Sequence, residues 1–318
     1  MANRLSRGSF ISLSAAAVLA PHPAAAAIVT IKAGSARDDD ATPYLYAIQS
    51  GIFKKNGIEA VLTGMNSGSA VSTAVAGGSF DIGKSSLMGL IAAHARKIPF
   101  LLIAPAGEYF STASVGGMLV KTDGPIKKAA DLNGKVIAVS ALNDLYTITT
   151  RAWIDSHGGD STTVKFIELP ISAVPAAIEQ GRIDAGNVLE PELEVAIESK
   201  TVRVLSHPFD AIAPNFTFSG WFTTKEFAEK NRDTVDRFVR SIREAANYTN
   251  AHHDLTVDAL AQYTKVDSAV IKKSTRATAG LDIELKKIQP LIDTAAKYKV
   301  IPETFDARDL VNPTVLRL

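Results

Sequence analysis

Short apolar runs rich in Val, Ile, Leu and Ala alternate with amphipathic stretches from residue 28 onward, with Gly, Pro, Ser or Asn between them. Continuous or period-two apolar runs predict strands, and apolar positions three and four apart predict helices. Residues 28–33 accordingly form a first strand, and 43–50 a helix that Pro43 can open because its missing N–H is not needed there. A strand at 58–63 follows, then a polar loop at 64–69 and a helix ending near 76. A strand at 81–83, a helix at 87–95 and a strand at 100–104 continue the series. Residues 116–120 form a β-run that leaves this first unit, and 121–133 is a polar connection. The second unit has strands at 135–139, 164–168, 185–188 and 202–205, with helices at 145–157 and 172–180. A run at 220–223 returns to the first unit. Beyond it, 225–252 predicts one long helix with Phe227, Val235, Phe238, Val239 and Ile242 inward, and three more helical segments follow to 298. This is the α/β class. Two passages without a flexible linker predict two lobes joined by a hinge, lobe one over 28–118 and 223–318 and lobe two over 119–222.

The N-terminus reads as a signal peptide over 1–27. Arg4 and Arg7 precede an apolar stretch at 11–20, Pro21 and Pro23 break it, and alanines at 24–27 offer cleavage sites. Ser6, Arg7, Gly8, Ser9 and Phe10 are similar to a twin-arginine signal with Gly8 in place of the second arginine, so both the general and the twin-arginine export routes stay open. Without Arg4 and Arg7 the formal charge falls by two, from +1 to −1. A near-neutral chain argues against nucleic acid or an anionic membrane as partner. The sequence has no cysteine, which excludes a disulfide framework, a thiolate metal site, a cysteine nucleophile and an N-terminal lipid on cysteine. No H-E-x-x-H, G-x-S-x-G or strand-following G-x-G-x-x-G occurs. The expectation is an exported, soluble, monomeric protein that is not an enzyme and holds no metal or cofactor.

Four segments carry a family resemblance. Gly51, Phe53, Gly57 and Ile58 are similar to a G-x-F-x-x-x-G-I segment, and Gly78, Asp81, Ile82 and Gly83 to a G-x-x-D-I-G turn. The stretch 125–139, with Asp131, Leu132, Gly134 and Val136, resembles the opening of a second lobe. Gly181, Asp184 and Ala185 with Glu190 and Pro191 resemble a G-x-x-D-A…E-P segment. In this order and spacing the chain resembles the nitrate/sulfonate/taurine-type solute-binding proteins of ABC importers. The resemblance implies a type II periplasmic binding protein fold with two lobes, two β crossovers and a ligand cleft. It also implies a small-molecule ligand, and a membrane permease and ATPase as partners.

In such a fold ligands sit where strand C-terminal ends meet helix N-termini, whose free N–H groups favour polar or anionic groups. Four loops fall there. The first, 35–42, holds Arg37, suited to a carboxylate or sulfonate, and Asp38, suited to an amine, or else the loop is solvated with a helix cap. The second holds Ser67, Gly68 and Ser69, small and hydroxyl-bearing, as ligand contacts or simple caps. The third holds Ser85 and Ser86 after Lys84, which supplies charge or lies on the surface. The fourth holds Ala141, Asn143 and Asp144, too bulky for a compact inorganic oxyanion. Across the cleft, Glu190 is a ligand contact or a carboxylate at a helix start, and Glu108 and Tyr109 near a crossover contact the ligand or belong to the core. Acids outnumber cations here. The ligand expected is a small organic molecule with an acidic and a neutral or amine portion, from the sulfonates, aromatic acids or nitrogen heterocycles. A sensor module and a pyrimidine-synthase-like enzyme of the same fold remain alternatives.

Overall fold

The computed structural model describes residues 28–317; the signal-type segment expected over 1–27 lies outside them. Thirteen strands fall into three sheets. The first sheet has the order β2 (Ile58–Met65), β1 (Val29–Ala36), β3 (Ile82–Ser86), β12 (Ser219–Thr224), β4 (Phe100–Pro105). Strands β1, β2 and β3 are parallel, while β12 returns antiparallel between β3 and β4. The second sheet has the order β10 (Val202–Ser206), β6 (Gly116–Lys121), β9 (Ala185–Leu189), β7 (Val136–Val139), β8 (Lys165–Glu168).

A small third sheet joins them: β11 (Asn215–Thr217), β5 (Gly107–Phe110) and β13 (Thr278–Ala279). Strand β5 carries the chain from β4 to β6, and β11 carries it back from β10 to β12, so both crossings run side by side as an antiparallel pair. The expected lobe limits at 118/119 and 222/223 fall inside β6 and β12, each of which pairs along its length within one sheet. The crossing strands, four and three residues long, are short and close to their neighbours in sequence, which hides them among the flanking strands. The result is the two-lobed periplasmic binding protein fold.

Both main sheets are covered on both faces, so their central strands β3, β12, β6 and β9 are buried almost throughout, polar residues such as Lys84 and Asn187 included. In the first lobe Tyr44, Phe53, Trp221 and Phe238 pack as one aromatic cluster, Trp221 stacking on Tyr44 at a centroid distance of 4.9 Å. Trp221 is therefore core. In the second lobe Met118, Val120, Ile137 and Ile154 fill one side of the sheet, and Leu119, Val174, Val188 and Leu193 the other. The stretch expected as a single helix over 225–252 divides into Lys225–Lys230 and Arg232–Ala251, because Asn231 leaves helical geometry at φ −126° and ψ 40°. Among the described residues no helix is long and apolar enough to cross a membrane.

Candidate functional site

A cavity of 490 Å³ opens between the lobes, within the range of small-molecule sites. Three helices point their N-termini at it: Gly68–Ala76 and Leu87–Ala95 from the first lobe, and Leu145–Ser156 from the second. Each begins just after a strand, and each carries its own cap. Ser67 Oγ accepts the N–H of Ala70 at 3.3 Å, and Ser86 Oγ accepts that of Gly89 at 3.4 Å. Asp144 does more: its carboxylate accepts the N–H of Thr147 at 3.0 Å, that of Ala141 at 3.2 Å and the hydroxyl of Ser140 at 2.6 Å. Burial pushes its pKa up to about 6 against those hydrogen bonds. Leu142 at the tip of this loop is tied by its N–H to Glu168 at 2.8 Å, and Asn143 holds a left-handed φ of 59°, which asparagine tolerates better than most residues.

Gly68 is required for a close approach: a Cβ there would lie 2.3 Å from Ser85 Oγ. That contact brings the second and third loops together and leaves Ser67, Ser69, Ser85 and Ser86 on one wall.

The charge of the cleft lies in a buried triad. Lys84, 1% exposed, pairs with both Asp38 and Asp40, and Ser219 donates its hydroxyl to Asp40. Burial and then the Asp40 carboxylate drive Asp38 well above the usual carboxylate range, although Lys84 pulls the other way. Burial also acts upward on Asp40, but Lys84 and the hydrogen bonds it receives hold it below that range. Burial works against the charge of Lys84, and the two carboxylates more than offset it, so the ammonium is held above its ordinary value. Two acids against one lysine leave the triad with one negative charge when all three ionise, or none when Asp38 keeps a proton. Lys84 is already fully engaged.

Asp39, between the two, faces away. Arg276 holds it bidentately at 2.7–3.0 Å, with both side chains buried. Among the buried polar side chains of the cavity wall, Tyr146, 6% exposed, has a hydroxyl with no hydrogen-bond partner. Among the described residues no group of three or more His, Cys, Asp and Glu is arranged to hold a metal.

Of the residues singled out in the sequence, Asp38, Ser67, Gly68, Ser69, Ser85, Ser86, Ala141, Asn143 and Asp144 line this cavity together. Four stand elsewhere. Arg37 is exposed, and a Cβ on Gly64 would lie 2.7 Å from its Nε, so its side chain runs back over β2. Glu108 sits in the hinge strand β5, paired with Lys287 at 2.9 Å. Tyr109 is fully buried among Phe209 and Phe216 and donates to Asp210 at 2.6 Å. Glu190 accepts the N–H groups of Glu194 at 3.0 Å and Thr275 at 3.4 Å, a helix-start carboxylate that also ties the second lobe to the C-terminal part. Burial raises its pKa to about 7. The cavity also takes in Tyr146, Phe218 and Arg96, which carry no loop signal in the sequence.

A family model described as NMT1/THI5 like matches residues 38–255, more than half the chain. The chain belongs to the NMT1/THI5-like family. The resemblance drawn from its motifs is thereby borne out. A Bacillus subtilis (strain 168) protein named as an aliphatic sulfonates-binding protein is 25% identical over 287 residues, 87% of this chain and 84% of its own. A 4-amino-5-hydroxymethyl-2-methylpyrimidine phosphate synthase of Aspergillus parasiticus is 27% identical over 229 residues, 66% of this chain and 64% of its own. Among solved structures, the periplasmic aliphatic sulphonate binding protein SsuA from Escherichia coli matches with a TM-score of 0.72 at 20% identity, over 89% of this chain and 92% of that one. This NMT1/THI5-like chain therefore shares its fold with periplasmic binding proteins.

Proposed function

We infer that this NMT1/THI5-like protein is the substrate-binding component of an ABC importer, exported to the periplasm as a monomer. It captures a small organic molecule by lobe closure, passes it to a permease and ATPase, and performs no chemistry. The observation that carries this reading is the placement of one cavity across both lobes, walled by three helix N-termini and an unpartnered buried Tyr146 hydroxyl. Lobe movement about the β5–β11 pair would bring Asp144 and Tyr146 onto a ligand held by Ser67, Ser69 and Asp38.

The ligand belongs among sulfonates, aromatic acids and nitrogen heterocycles, and the charge balance favours a nitrogen-bearing group against the triad. Lys84 is already paired with two acids, so a sulfonate at the cleft centre would meet Asp38 and Asp40 with no free cation beside it. A second reading, a pyrimidine phosphate synthase-type enzyme, draws on the Aspergillus parasiticus relative.

One experiment separates them. The purified protein is screened by thermal shift against these ligand classes, and hits are followed by small-angle scattering and by mass spectrometry of the recovered ligand. Ligand at a hundred times its Kd should raise stability by about 2.7 kcal/mol, contract the particle and return unaltered. A tight ligand that leaves the dimensions unchanged refutes the closure mechanism, and a chemically altered ligand favours the enzyme.

A further inference from the structure

The cavity does not stop at the lobe interface. It continues between helices Gly68–Ala76 and Leu87–Ala95, reaching Arg96, Ile98 and Phe100. Both helices start where parallel strands end, β2 and β3, so they run in the same direction from the cleft across the first lobe. Ser72 and Ala76 line the gap from one helix, Gly89 and Ala92 from the other. Spacings of three and four place these small side chains in one stripe per helix. Such stripes leave a groove open where larger side chains would fill it to ordinary packing density.

The two ends differ in charge. At the near end lies the Asp38–Lys84–Asp40 triad, with Tyr146 of the second lobe lining the same cavity and carrying a buried hydroxyl without a partner. At the far end stands Arg96, which follows the second helix, is exposed and has no ion-pair partner among the described residues. The nine residues of Leu87–Ala95 set the ends apart by about 13 Å.

We propose that the protein takes an elongated, bipolar ligand: a basic or neutral nitrogen head at Asp38 and Tyr146, a slender chain in the groove, and a terminal anion at Arg96. This rests on the cleft being the ligand site. It separates the acidic portion of the ligand from the crowded acids of the cleft centre, where an anion has no free cation. A compact sulfonate would leave the groove and Arg96 unused.

The test is calorimetry on the full protein with ω-amino alkanoates from butanoate to dodecanoate, and with alkylamines of matching length. Wild type is compared with Arg96→Gln and Ala76→Trp; both positions are exposed, so neither change threatens folding. Affinity should rise with chain length in the amino-acid series and exceed that of the matching amine. Arg96→Gln should remove about tenfold of the affinity of long members, and Ala76→Trp should abolish the length preference. The inference is overturned if short members bind best, if Arg96→Gln leaves long members unchanged, or if no member binds. In those cases another small ligand that still contracts the lobes leaves the importer reading standing. Failure of every ligand to contract them overturns both.

Discussion

Replacing Lys84 by Met tests the charge argument directly. Lys84 is 1% exposed and contacts a carboxylate oxygen of both Asp38 and Asp40. Two oxygens sharing one nitrogen lie no more than about 5.5 Å apart, and at an effective dielectric near 20 their repulsion is about 3 kcal/mol once the lysine is gone. Losing one partner of a buried pair costs about 3–5 kcal/mol by comparison with similar sites, so the two routes agree. Spread over a folded body of residues 28–317, with an unfolding entropy of about 2.1 cal/mol/K per residue, this lowers Tm by roughly 5–8 °C.

The pH dependence should shift toward acid stability as well: in wild type Asp38, held above the usual range, favours the fold at low pH and opposes the contribution of Asp40. In wild type Asp40 is held below the usual range, so its contribution is present above the unfolded carboxylate pKa and lost as pH falls through its own. In Lys84→Met the two acids share a proton, and the variant should be more stable at acid than at neutral pH. Calorimetry of the ligand-free protein reads both effects, and adding Asp40→Asn should recover at least half of the loss. If ligand-free Lys84→Met unfolds within about 0.5 kcal/mol of wild type while ligand affinity collapses, Lys84 is a free anion site. The reading of a cation-poor cleft then fails.

Two other changes separate structure from function. Glu190, buried with a pKa of about 7 against an ordinary 4.5, stabilises the fold least above that value. Its penalty is absent below pH 4.5 and grows to about 3 kcal/mol as pH rises through 7, so Glu190→Gln should flatten urea midpoints across that window. An unchanged pH slope contradicts the assignment. Tyr146→Phe removes a hydroxyl that has no partner in the ligand-free protein. Stability should stay within about 0.5 kcal/mol or rise, while ligand affinity falls about tenfold; equal affinity would place Tyr146 outside the site.

Periodicity made the strand–helix alternation legible, and the small hydroxyl residues after strands marked two of the four cleft loops. Hidden in the sequence were directions and distant partners. Arg37 is suited by type to an anion, but nothing in the chain announces that it folds back over Gly64. Arg276 is 237 residues from the Asp39 it holds, and no local pattern links them. The break at Asn231 was masked because Phe227 and Val235 keep the apolar spacing on either side of it. Arg96 and the groove are not legible for another reason: small residues on a helix read as ordinary packing, and only the neighbouring helix decides whether the space between them is filled.

The three successive acids Asp38, Asp39 and Asp40 show why a charge run cannot be assigned as one unit. The short turn at Asp39–Ala41 sends neighbouring side chains in different directions. Asp39 anchors the C-terminal segment through Arg276, and Asp38 faces the cavity. Asp40 receives the hydroxyl of Ser219, and Ser219 Oγ in turn accepts the N–H of Gly107 at 2.8 Å, where the first crossing strand begins. A continuous polar chain thus runs from the cavity through Lys84 and Asp40 to the hinge. On the proposed closure mechanism, a ligand that changes the proton or charge on Asp38 would alter the electrostatics at Lys84 and, through Asp40 and Ser219, reach the backbone of the crossing strand at Gly107. Ser219→Ala, at a position that also lines the cavity, should then change how far the lobes contract at saturation. Scattering profiles identical to wild type would show that the hinge does not respond to the triad.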